Sequence, residues 1–73
     1  MIDPESIEVG QCYLTEDGRV RKVTRFLNDG RVRYKYRGLL GKKWRWGELG
    51  RQYFASTVER PVPCDWTPER DAG

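Results

Sequence analysis

Asn28-Asp29-Gly30-Arg31-Val32-Arg33-Tyr34-Lys35-Tyr36-Arg37-Gly38 decides the fold. From Arg31 to Arg37 cations alternate with Val32, Tyr34 and Tyr36 without a miss. A strand sends successive side chains to opposite faces, so this stretch makes one apolar-aromatic face and one cationic face. A helix would scatter the same residues around its axis. Asn28, Asp29 and Gly30 are hairpin chemistry, because Asn and Gly tolerate the positive φ of a tight turn.

Upstream, Gly10 to Thr15 reads as a first strand with Cys12 and Leu14 on one face, turned by Glu16-Asp17-Gly18. Arg19 to Leu27 is a second strand, in which Val20 and Val23 cannot share a face at period two. A β-bulge near Arg21-Lys22 would reconcile them. Met1 to Val9 is an acidic lead-in from which Ile7 and Val9 reach the core. Downstream, Leu39 to Lys43 is a basic loop, Trp44-Arg45-Trp46 begins to alternate, and Gly47 and Gly50 interrupt it. Arg51 to Tyr53 reads as a short strand and Phe54 to Glu59 as a helical turn with Phe54 and Val58 inward. Pro61-Val62-Pro63 is extended, as prolines at a sheet edge allow.

The expected fold is mostly β: a small SH3-like barrel or a strongly twisted antiparallel sheet of four to five strands with one short helical turn. Residues 1–63 form the single domain, and residues 64–73 form a flexible tail in which Trp66 either folds back or anchors a partner.

Seventy-three residues with 37% hydrophobic content and a mean hydropathy of −0.85 permit only a small core, leaning on three Trp, four Tyr and two Phe. No apolar run could span a bilayer and no signal-like start is present, so a cytoplasmic protein without membrane contact is expected. Cys12 and Cys64 lie 52 positions apart. Without histidine or C-x-x-C they make no zinc site, and a cytoplasmic address predicts two unpaired thiols.

The net charge of +3 hides a segregated pattern. Residues 1–18 hold five acids and no base. Residues 19–52 hold twelve bases, eight of them arginine, against only Asp29 and Glu48. Such a field has a direction and suits a polyanion, and arginine grips phosphate bidentately. The candidate contacts are Arg31, Arg33, Lys35 and Arg37, joined by Arg19, Arg21 and Arg25 from the neighbouring strand. Lys42, Lys43 and Arg45 flank Trp44 and Trp46, on which bases could stack. Trp66 is the candidate protein anchor. No catalytic constellation is visible: histidine is missing, neither cysteine has a base in sequence, and Ser56 stands in no nucleophile motif. No cofactor is expected.

The runs Val9-Gly10-Gln11-Cys12-Tyr13, Asp17-Gly18-Arg19-Val20-Arg21-Lys22-Val23, Asp29-Gly30-Arg31-Val32-Arg33-Tyr34 and Tyr53-Phe54-Ala55 resemble small phage-encoded proteins with an SH3-like fold, over about two thirds of the chain. That resemblance implies a monomeric, non-enzymatic regulator that engages a host machine, RNA polymerase foremost, with its basic strands near RNA or DNA. The alternative is a free-standing nucleic-acid-binding module. Gln52-Tyr53, Ala55 and Val58-Glu59-Arg60 are also similar to the end of the plasmid-borne type II dihydrofolate reductase, an SH3-like barrel whose pore uses Val-Gln-Ile-Tyr. Here the Ile is absent and Arg51 precedes Gln52.

Overall fold

The computed structural model describes residues 1–39 and 41–69. A 3₁₀ turn at Pro4–Ser6 leads into β1 (Cys12–Thr15), β2 (Arg19–Phe26), β3 (Arg31–Gly38) and β4 (Arg45–Gly50). The helix α1 (Arg51–Thr57) and strand β5 (Val58–Val62) follow. The strands form one antiparallel sheet in the order β4-β3-β2-β1-β5. This is the mostly-β architecture expected, with the helical turn before the last strand. No described helix is long and apolar enough to cross a membrane.

The hairpin turns sit where the Asp-Gly pairs placed them. Gly18 and Gly30 have φ of 82° and 86°, the left-handed region that side chains with a Cβ resist. Cross-strand partners share a sheet face, so the register sorts every side chain. Tyr13, Val23, Val32 and Tyr34 meet Phe54, Ala55, Val58 and Ile7 on one face. Phe54 lies 5.9 Å from Tyr13, edge-on, and 5.3 Å from Tyr34.

On the opposite face Cys12, Leu14, Val20 and Val62 pack with Trp66, bordered by Leu39, Trp44 and Cys64. The sheet therefore carries a core on each side, and β1, lying between them, is buried at all four positions.

This second core corrects several expectations. Val20 and Val23 need no bulge at Arg21-Lys22, because each enters a different core. The register shift comes later, between Val23 and Arg25, where the Thr24 hydroxyl donates to the Arg33 carbonyl at 2.8 Å.

Cys12 and Cys64 are joined in a disulfide rather than left as thiols. Their distance in sequence was misleading because β5 pairs with β1. Cys12 faces Val62, and residue 64 lies two positions further along. Within the segment expected to be a tail, Cys64 is tied to β1 and Trp66 is buried in the second core, while Pro68 and Glu69 are exposed and residues 70–73 lie outside the described residues.

Two further boundaries moved. Gly47 and Gly50 do not interrupt β4. Tyr34, paired with Gly47, lays its ring across that residue, where a Cβ would sit 2.7 Å from the Tyr34 Cζ and hydroxyl. Arg51 to Tyr53 open α1 rather than a strand. The Arg51 guanidinium donates to the Pro4 carbonyl at 2.9 Å, tying the helix to the 3₁₀ turn. Ile7 is buried as expected, but Val9 is exposed.

Candidate nucleic-acid interface

The cations that the sequence gathers on one face are divided by the register. Lys22 faces Lys35, and Lys35 faces Trp46. After the shift at Thr24, Arg25 faces Arg33, and Arg33 faces Glu48. These residues share one end of the face that carries the second core. Trp46 is 55% exposed there. The Arg33 Cζ and the Lys35 Nζ each lie 4.7 Å from the centre of its ring. Cation–π contacts of this kind contribute about 0.5–1 kcal/mol at an exposed site. Here they hold a flat aromatic surface in place without burying it. The result is a strip on which a base can stack beside two positive charges.

Arg31 stands at the border of this strip, already engaged. It contacts Asp29 at 2.8 Å and Glu48 at 3.1 Å. The Arg31 guanidinium holds the Asp29 carboxyl below its usual range, helped by the bond from the Arg31 amide. Its work is to fix the Asn28–Gly30 turn.

Arg19 and Arg21 point to the other face. Arg21 lies 5.1 Å from the Tyr34 ring centre and 5.5 Å from that of Phe54, and donates to the Thr57 hydroxyl at 2.7 Å. Arg19 lies 5.6 Å from the Tyr36 ring centre, with Asp17 at 3.8 Å. The Thr15 hydroxyl, donating to Asp17, lowers that carboxyl; Arg19 and Arg21 add to the effect and burial opposes it. Arg45, facing Tyr36, belongs to this side as well.

Arg37 is the largest correction. It shares the face of Arg33 and Lys35, yet it is buried. Its guanidinium donates to the carbonyls of Gly38 at 3.0 Å, Leu39 at 3.2 Å, Cys64 at 2.8 Å and Trp66 at 3.0 Å. A buried cation is costly unless its donors are met, and four carbonyls meet those of its two terminal nitrogens. Arg37 is thus a bracket between the sheet and the C-terminal segment, not a phosphate contact. Trp44 is half-buried beneath it, 5.3 Å from ring centre to guanidinium, and Trp66 is buried in the second core. Of the two alternatives for Trp66 it is the fold-back that occurs, and of Trp44 and Trp46 the exposed member is Trp46. Lys42 and Lys43 are exposed on the loop before β4.

The structure thus brings together Arg25, Arg33, Lys35 and Trp46 and separates Arg19, Arg21, Arg37, Trp44, Arg45 and Trp66 from them. Lys22, which the sequence reading passed over, joins the strip. Pairing parity would have found it once the β2–β3 register was known. Gln52 and Tyr53 are exposed on α1. Among the described residues no three His, Cys, Asp or Glu side chains are placed to hold a metal ion. No protein-family model, curated protein or solved structure matches this chain.

Proposed function

We propose that this is a non-enzymatic regulatory protein that binds single-stranded RNA or DNA on the sheet face around Trp46. The observation that carries the reading is one exposed tryptophan held 4.7 Å from both Arg33 and Lys35, with Lys22 and Arg25 beside them. Stacking on an aromatic is worth about 1–3 kcal/mol per base and accepts any base, while the cations meet the backbone.

In its fuller form the protein is of phage type, acts in the host cytoplasm, docks on host RNA polymerase and alters transcription. The separation of charge supports this form. The exposed acids Asp3, Glu5 and Glu8 belong to the N-terminal segment, which packs Ile2 and Ile7 into the opposite core. They are thereby kept off the strip, which leaves them on a side that a docked protein could meet. Retention of purified polymerase by the immobilised protein above 0.3 M salt would support docking; its absence would reduce the reading to a free-standing module. In a reducing cytoplasm the disulfide would depend on the complete burial of Cys12 for its persistence.

Fluorescence anisotropy with a labelled 12-nucleotide strand tests the interface. Reversing Arg33 and Lys35 to Glu should weaken binding at least tenfold. It should also flatten the log–log salt slope by roughly 1.4, the value for two lost phosphate contacts on a single strand. Trp46→Ala should weaken binding by roughly fivefold or more. Unchanged affinity in the double reversal would show that the cations serve solubility alone.

A further inference from the structure

The opposite face holds a second cationic feature with a different shape. Gly47 has no side chain, and the Tyr34 ring covers only part of the space above it. The remainder is a hollow of about 230 Å³ lined by Arg19, Arg21, Tyr34, Tyr36, Gly47 and their neighbours on β4. It adjoins another of about 290 Å³, where Arg19 and Tyr36 are joined by Lys43 and Arg45. Arg19 and Tyr36 therefore line both recesses.

Arg19, Arg21, Lys43 and Arg45 line this region, and the buried Arg37, whose terminal nitrogens donate to carbonyls, borders the second hollow. Asp17 lies 3.8 Å from Arg19, Glu16 shares a neighbouring recess with Arg21, and Glu48 lines the first hollow and is paired with Arg31. Arg21 is held in place: its guanidinium lies over Tyr34 and Phe54, and one N–H is committed to Thr57. A guanidinium has five donors in a rigid fork, so the bond to Thr57 leaves others to present. A charge that is packed on rings and hydrogen-bonded from behind is preorganised, which lowers the ordering cost of binding.

We propose that this Tyr36-centred cleft binds a phosphate monoester dianion, through Arg19 and Arg21 on one side and Arg45 and Lys43 on the other. Guanidinium forks suit the three terminal oxygens of a monoester, and two negative charges match a cleft in which cations outnumber carboxylates. A diester in mid-strand offers one charge and two free oxygens, and it suits the open strip around Trp46 better. The cleft opens on the side of the sheet that carries Arg19, Arg21 and Tyr36, opposite Arg33 and Lys35, and touches the strip only where Trp46 flanks Gly47. The monoester could belong to a mononucleotide or to the 5′ end of a nucleic-acid strand.

NMR titration of the oxidised protein at constant ionic strength tests the assignment, with adenosine 5′-monophosphate, a 5′-phosphorylated trinucleotide and its 5′-hydroxyl counterpart as probes. Saturable shifts at Arg19, Arg21, Tyr36 and Gly47 are expected from at least one phosphorylated probe. Which probe binds the tighter distinguishes a free nucleotide from a strand end. The 5′-hydroxyl trinucleotide should leave these resonances at least tenfold harder to saturate. Arg19→Gln combined with Arg45→Gln should weaken the phosphorylated probes tenfold or more while the thermal midpoint and the Arg33 and Lys35 resonances stay in place. Equal binding of the 5′-hydroxyl strand at the cleft overturns the proposal. So do shifts no larger than those in sodium chloride, or an unchanged affinity in the double variant.

Discussion

Arg33 and Arg37 stand four residues apart on the same strand and the same face, and they live in different solvents. Arg33 lies beside an exposed tryptophan, whereas Arg37 is enclosed and spends its donors on four carbonyls. Trp46 and Trp44 repeat the contrast two residues apart. Alternation fixes which face a side chain takes. What covers that face is decided elsewhere, here by Cys64 and Trp66, which meet Arg37 while Trp46 stays exposed. An open surface and a core can therefore be two ends of a single stripe.

The most disruptive way to test the contrast is to release the cover. Cys64→Ser, or reduction with a dithiol, should cost about 4 kcal/mol on a chain-entropy estimate for a loop of this length. Urea unfolding measures it. The nucleic-acid affinity proposed for the Trp46 end should be the same in the oxidised and reduced protein, measured where the fold persists. A loss below 1 kcal/mol would mean that packing alone holds the segment.

Arg37→Met should cost about 3 kcal/mol, since the four carbonyls lose their donor. Arg33→Met should cost no more than about 1 kcal/mol, the most that its cation–π contact with Trp46 contributes at a site open to solvent. Comparable losses at the two positions would erase the distinction between the ends.

On the other face, Gly47→Ala should destabilise by about 1–3 kcal/mol, because the new methyl meets the Tyr34 ring. In a Tyr34→Leu background the same substitution should cost clearly less. An equal cost in both backgrounds would assign the effect to the backbone.

The smallest effect is alkaline. Burial pushes the Tyr34 hydroxyl above its ordinary value of 10.0, with Arg21 opposing. The folded protein then holds that proton more tightly than the unfolded chain does. Its contribution is complete below about pH 10 and is lost as pH rises through the folded value. Tyr34→Phe should remove this limb from a stability–pH profile, and a wild-type limb in the variant would point to another group.

Much of the fold was legible because its signals are local. The Asp-Gly turns and the alternation of β3 need only adjacent residues to be read. The pairing of the cysteines, the second core and the fate of Arg37 are not local. All three follow from β5 returning beside β1, a contact between residues some 50 positions apart. Val20 and Val23 carried the trace of it: two valines out of phase, each needing a core of its own. Gly47 was opaque for a related reason, since its lack of a side chain makes sense only beside Tyr34 on the neighbouring strand. The candidate site was legible as a composition of charges and rings. It was not legible as a place, because the one-residue shift at Thr24 sets which β2 cations face Trp46.

The bond between Cys12 and Cys64 also decides how the molecule answers to force. The 52 positions between them would span roughly 180 Å as an extended chain. With the bridge intact, a pull applied outside those two residues finds their Cα atoms fixed 5.1 Å apart, and the load passes through sulfur instead of through the sheet. Every hairpin lies inside a closed covalent ring and is shielded from tension. A motor that unravels proteins by drawing them in from one end would stall at the ring until a reductant opened it.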